Sequence, residues 1–156
     1  MSGLVGQVGT RSGVIRPQGG YSFYAINTNV TQSSDGYWGA NQLVTNNGNC
    51  FNLSTDKFTA PINGTYAFSF HTLYRGGGSP NSMRIWWTIN GTKYAESSNS
   101  NYSSAYMASS GEYMVTINGI LNLYALDEVQ VYVDLAGGDI YGNANGHNGF
   151  SGHHIL

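Results

Sequence analysis

The stretch Phe51–Gly77, FNLSTDKFTAPINGTYAFSFHTLYRGG, decides the fold. Its Pro61-Ile62-Asn63-Gly64 segment gathers residues that favour turns, and strict alternation begins directly after it. Tyr66, Phe68, Phe70 and Thr72 fall on one face; Ala67, Ser69, His71 and Leu73 fall on the other. An apolar set recurring every second residue is the mark of a half-buried antiparallel strand. The stretch therefore reads as a turn that delivers the chain into a long strand.

The same period returns along the chain. Met83, Ile85, Trp87 and Ile89 alternate with Arg84, Trp86 and Thr88. Val129, Val131, Val133 and Leu135 alternate with Glu128, Gln130, Tyr132 and Asp134, which the pattern turns outward. Asn90-Gly91, inside WTINGTKYAES, is the dipeptide of a type I′ hairpin turn. Residues 76–80 and Gly137-Gly138 punctuate further, residues 97–111 read as a long loop or short edge strand, and 143–148 read as a loop before a final strand. No segment sustains a helical period over three turns. Ile-Asn-Gly occurs at Ile62, Ile89 and Ile117, but the flanks do not repeat, so it is reused turn chemistry. Many short strands between turns predict an all-β sandwich or barrel.

Composition narrows the function. The 156 residues suit one domain, and only 9% are charged, with a net charge of −2. No Lys/Arg cluster offers a nucleic-acid surface or attraction to acidic membranes, and no apolar run is long enough for membrane insertion. Asn-x-Ser/Thr sequons are what chance produces in so Asn-, Ser- and Thr-rich a chain. The single cysteine, Cys50, rules out an internal disulfide and reads as a small buried or half-buried side chain in preference to a reactive thiol. Catalysis finds little: no Gly-x-Ser-x-Gly elbow is present, Asp127-Glu128 reads as a turn into a strand, and Asp134 and Asp139 flank a Gly-Gly loop. The expectation is a protein that is not an enzyme and carries no cofactor.

Three motifs in order carry a resemblance: STDKFTAPINGTYAFSFHTLYRG, then GILNLYALDEVQVYV, then the closing GFSGHHIL. Together they resemble the head domain of the complement C1q-like family and the related tumour necrosis factor jelly roll, over about Tyr21–Leu156. The resemblance implies a ten-stranded antiparallel jelly-roll sandwich over 21–156, forming a homotrimer. Residues 1–20 lack a clear pattern and read as an arm or connector to an upstream fibre. This chain departs from the family pattern in having Ala60 where Cys is usual, Leu126 where Gly is usual, and His153 and His154 where apolar residues are usual.

The resemblance also assigns faces. Tyr66, Phe68, Phe70, Val115, Ile117, Leu121 and Leu123 would point into the sandwich. Ala67, Ser69, His71, Thr116, Asn118, Ile120, Phe150, His154 and Leu156 would face the trimer axis, and His153 the core or a sheet edge. Asn118-Gly119 would then lie inside a strand, overriding its turn chemistry. The face carrying Phe150, Ile120, Leu156 and Leu73 would be too apolar to stand in water alone. Three copies of His71 or His154 can converge on an axial metal ion; hydrogen bonds to neighbours or water on a polar axis are the preferred alternative. Asp139 is a thin calcium candidate.

Loops bearing Tyr74, Arg75, Tyr102, Tyr106, Tyr141, Asn143, Asn145 and His147 combine stacking area with adaptable hydrogen bonding and are the expected ligand contacts. The opening VGQVGTRSGVI looks like segments of tailed-phage structural proteins. The expected function is thus the receptor-binding tip of a phage tail fibre or similar adhesin, on a virion or extracellular, holding host glycan or protein by avidity. The alternatives are a secreted C1q-like lectin or signalling protein, and a purely structural virion component.

Overall fold

Alternation drives every long element of the computed structural model. It describes residues 20–76, 81–94, 102–107, 111–142 and 146–155, with 81 and 102–107 through their backbone pairing. Strands are numbered in chain order. One antiparallel sheet runs β10 (Gly111–Leu123), β6 (Gly64–Gly76), β13 (Asn148–His154), β1 (Ser22–Asn27) and β3 (Gln42–Asn47), with β12 (Asp139–Ile140) beside β6. The second runs β4 (Phe51–Asn52), β5 (Lys57–Thr59), β11 (Glu128–Ala136), β7 (Asn81–Ile89) and β8 (Thr92–Lys93). To this second sheet β2 (Gly36–Tyr37) adds through β11, and β9 (Tyr102–Met107) through β7.

The architecture is the expected jelly-roll sandwich. Its described residues hold 13 strands rather than ten, because β2, β4, β8 and β12 are two-residue pieces that a sequence period cannot show. The pairing of β6 with β10 runs unbroken from Gly64↔Leu123 to Gly76↔Gly111. Directly opposed residues share a face, so the core-facing set of β6 fixes that of β10. Tyr66, Phe68, Phe70, Val115, Ile117, Leu121 and Leu123 are all buried, as the resemblance implied. Gly119 sits mid-strand opposite Phe68, so Asn118-Gly119 makes no turn.

The core is aromatic. The Phe150 ring lies 4.8 Å from Phe23, 5.6 Å from Trp87 and 5.8 Å from Phe51, centroid to centroid. Phe58 stands 5.0 Å from Phe68 and 5.3 Å from Tyr66. Such pairs add about 0.5–1.5 kcal/mol each beyond burial itself. Buried polar groups are tied in. Asn148 Oδ1 accepts from Thr72 Oγ1 at 2.6 Å and the Leu73 N–H at 3.1 Å, while its Nδ2 donates to Tyr141 O at 2.9 Å. Gln130, expected outward, is largely buried, and its Nε2 donates to Thr55 O at 3.1 Å. Five buried atoms lack a partner among the described residues: Trp38 Nε1, Trp87 Nε1, Asp139 Oδ1, His147 Nδ1 and His154 Nε2.

Positive backbone angles fall where turns require them. Asn90 (φ 51°) and Gly91 (φ 79°) form the expected hairpin turn between β7 and β8. Leu126 (φ 75°) occupies the left-handed region in the turn from β10 to β11, the position where the resembled family has glycine. Its side chain is 77% exposed, so its packing returns little for the backbone strain. Asp127 holds this turn: its Oδ2 accepts from the Tyr124 N–H at 2.8 Å and its Oδ1 from Asn90 Nδ2 at 2.8 Å.

Two outcomes follow. Leu126→Gly raises stability by about 1 kcal/mol and the thermal midpoint by roughly 2–4 °C, read by calorimetry. Cys50 is buried, and burial pushes its thiol up to about 11. A thiol reagent at pH 8 should leave it unmodified in the native protein and label it fully once urea unfolds the chain.

Candidate functional site

The outer face of the first sheet presents one candidate surface. Register places Ala67 opposite Ile120, Ser69 opposite Asn118, and His71 opposite Thr116. On the other flank of β6, β13 sets His153 opposite Ala67, Ser151 opposite Ser69, and Gly149 opposite His71. Small residues in the centre and larger ones on the flanks leave an open cavity of about 490 Å³, lined by Ala67, Ser69, Asn118, Ile120, Ser151 and His153 among others. Ile120 is 71% exposed at its wall and Met114 is 56% exposed further along β10.

This register corrects the expectation for the last strand. Phe150 pairs with Phe70 and His154 with Tyr66, both core-facing, so neither looks outward. Phe150 is buried, and the His154 ring sits 5.0 Å from that of Tyr66, with its Nε2 buried and unpartnered among the described residues. A phenylalanine at position 150 gains far more from the aromatic layer than from a wet face, and that gain sets the phase of the whole strand. His153, expected toward the core or a sheet edge, is exposed on this outer face instead. Leu73 is also buried, so this face is mixed polar rather than a greasy wall. Leu156 lies outside the described residues.

The metal expectation narrows with this register. His154 leaves the outer face, and His71 stays on it, half-buried, its ring laid with that of Tyr24 over Gly149, where a Cβ would meet His71 Cε1 at 2.6 Å. His71 and His153 stand four strand positions apart, about 13 Å. No group of three His, Cys, Asp or Glu gathers among the described residues of the chain. A metal here would need one imidazole from each of several copies. At the calcium candidate, Asp139 Oδ2 accepts from Arg75 at 2.8 Å, while its Oδ1 is buried without a partner among the described residues.

The expected ligand loops divide. Tyr74 is no loop residue, because β6 continues to Gly76; its ring is fully buried and its hydroxyl donates to Gly137 O at 2.5 Å. Burial also raises its pKa, helped by the charge of Asp139. Arg75 and Tyr141 do come together, with the guanidinium 4.3 Å from the ring centroid while it also holds Asp139. His147 is half-buried, with Nδ1 unpartnered among the described residues. Tyr102 and Tyr106 lie on β9, opposite Trp86 and Ser82, so this stretch takes the short-strand alternative and not the loop. Asn143 and Asn145 fall outside the described residues. The sequence reading passed over Asp35 and Tyr37, whose elements are too short for a period to register. The outward phase it gave Trp86 and Tyr132 was the one signal that the second sheet also carries an aromatic face.

Gly119 links this face to the core. A Cβ there would lie 2.6 Å from Trp87 Nε1 and 3.0 Å from its Cδ1. Gly119→Ala is therefore expected to cost about 1–3 kcal/mol, seen as a lowered urea midpoint, because the fully buried Trp87 has no room to retreat.

Comparison with known proteins agrees with this architecture. The C1q domain family matches residues 22–155. The globular domain of zebrafish complement 1qA protein superposes with a TM-score of 0.63 at 18% identity, over 87% of this chain and 98% of that one. At that identity the superposition speaks for the fold alone. The family match spans both sheets from β1 to the end of β13, and on that match the chain belongs to the C1q domain family.

Proposed function

We propose that this chain is an extracellular recognition head that works as a homotrimer and holds a surface glycan or protein through three equivalent, individually weak sites. C1q domains are non-catalytic recognition modules, and the family match over 22–155 is the observation that carries this reading. The described residues include no helix long and apolar enough to cross a membrane.

The trimer reading draws support from the outer face of the first sheet. Ile120 stands 71% exposed beside a cavity floored by Ala67, Ser69 and Gly119, a shape that a neighbouring copy can enter. Ala67, Ser69, His71, Thr116, Asn118 and Ile120 would then line the seam, joined by Ser151 and His153 in place of Phe150 and His154. Any axial ion would fall to His71 or His153. Three linked sites raise apparent affinity by about 10²–10⁴ without any new contact. The phage fibre-tip version draws on VGQVGTRSGVI, which lies outside the described residues, together with the missing cysteines, the Asn/Gly/Ser-rich surface and the strand near the chain's end; a secreted lectin-like or adhesive head is the reading the family match favours.

Light scattering and sedimentation of the intact chain test the assembly, and three times the chain mass is expected. Ile120→Asp should give a monomer with unchanged circular dichroism, because a buried carboxylate at each seam lacks a partner. A labelled wild-type protein should then bind host cells at least 100-fold better than Ile120→Asp. A wild-type monomer, or equal cell binding by both, overturns the reading.

A further inference from the structure

Two cavities on the other side of the molecule meet at Asp35. One, about 490 Å³, is walled by the segment 30–40, including Thr31, Ser33, Ser34 and Tyr37. The other, about 370 Å³, is walled by Ser82, Arg84, Asp134 and Leu135. Asp35 lines both. Its Oδ1 accepts from the Leu135 N–H at 2.6 Å, and its second oxygen has no partner among the described residues.

The segment carrying Asp35 is held in shape. The buried Asn27 donates from Nδ2 to Gly39 O at 2.8 Å, and its Oδ1 accepts from the Val30 N–H at 2.9 Å. The backbones of Gln32 and Ile140 exchange hydrogen bonds at 3.1 and 2.8 Å. Asp56 Oδ1 accepts from the Ala40 N–H at 2.8 Å. The serines, Asp35 and Tyr37 remain exposed on this pinned loop. A polar cavity that is ordered before binding spends little entropy when filled.

An aromatic row runs beside it. Tyr37, Tyr132 and Trp86 are directly opposed on β2, β11 and β7. Tyr132 meets Tyr37 edge to face at 5.2 Å. The Lys93 ammonium covers Tyr132 at 4.2 Å and lies 5.3 Å from Trp86, while it pairs with Asp134 at 2.8 Å. Trp86 Nε1 donates to the same carboxylate at 3.0 Å. Lys93 thus occupies Tyr132, whereas Tyr37, 44% exposed, keeps aromatic surface at the cavity wall.

We propose that the cleft either side of Asp35 binds a neutral oligosaccharide. One pyranose ring stacks its C–H face on Tyr37 and sets its hydroxyls on the free oxygen of Asp35 and on Ser33 and Ser34. The next ring reaches Arg84 and Asp134. Aromatic rings supply area for apolar sugar faces, and carboxylates, hydroxyls and guanidinium supply the paired acceptors and donors that sugar hydroxyls need. Charge favours a neutral sugar: Asp35 and Asp134 face Arg84 and Lys93, leaving no surplus for an acidic one. This assignment rests on the recognition-head reading and gives its ligand a class and a place remote from the Ile120 face.

The intact chain is screened on immobilised di- to tetrasaccharides of glucose, galactose, mannose and N-acetylglucosamine, alongside sialylated and sulfated counterparts, and hits are titrated by calorimetry. At least one neutral member should bind. Tyr37→Ala should weaken it tenfold or more, and Asp35→Asn, which keeps an acceptor for Leu135, at least threefold. Ser33→Trp, placed on an exposed loop to fill the cavity, should abolish binding with the thermal midpoint unchanged. The proposal is overturned if no neutral oligosaccharide binds, if only acidic ones do, or if binding is indifferent to Tyr37→Ala and Ser33→Trp. Attachment to cells that survives enzymatic removal of surface glycans would sink this proposal while leaving the recognition head standing; loss of all cell attachment by the wild type would sink both.

Discussion

The packing of Phe150 between the sheets is the constraint on which the structure turns. Its ring touches Phe23, Phe51, Phe68 and Trp87, and so joins both sheets through the last strand of the chain. Rings this large fit only where the neighbouring backbone has no side chain. At Gly152 a Cβ would lie 2.5 Å from Phe68, and at Gly119 it would strike Trp87. Size is balanced by its absence at adjacent sites, which lets a single layer of aromatics fill the sandwich at crystal-like density. Once Phe150 points inward, two-residue periodicity dictates that Ser151 and His153 point outward, and the chemistry of the outer face is fixed from inside the core.

How much of this could be read from the sequence depends on element length. In β6, β7 and β11 the alternating apolar residues identified themselves, and Met83, Ile85, Trp87, Val129, Val131 and Val133 all lie where the pattern put them, whereas the faces of β10 came from the resemblance. The seven-residue β13 offers the pattern little to work with: Phe150, Gly152 and His154 form the inner set, and only one of the three is apolar. Phase there depends on the partner strand, information that a local pattern does not contain. Tyr74 was misplaced for a related reason. The glycines after it look like a loop, yet β6 keeps its ladder to Gly76, since β10 and β12 both continue to pair with it there.

Sites were harder to see than strands because they are assembled across the sequence. Arg75, Asp139 and Tyr141 are joined by the short β12, and Asp35 gains its place through a hydrogen bond to Leu135, a hundred positions away. Tyr37, Tyr132 and Trp86 form a row only because β2 and β7 both pair with β11. The two outer faces of the sandwich consequently differ in character. One has a centre of small residues edged by Ile120 and histidine; the other has aromatic rings, hydroxyls and balanced charges. The two proposed tasks, joining copies and holding a ligand, would fall on different sides and so would not compete.

The scarcity of ionic groups has a consequence of its own. Of the four lysines and arginines among the described residues, Lys57, Arg75 and Lys93 are engaged with Glu128, Asp139 and Asp134, all at least partly open to solvent. Pairs of this kind contribute little to folding, and dissolved salt readily screens them. Cohesion here comes instead from rings, amides and main-chain ladders, none of which relies on long-range charge. Screening therefore removes little of what holds this scaffold together, from fresh water to brine.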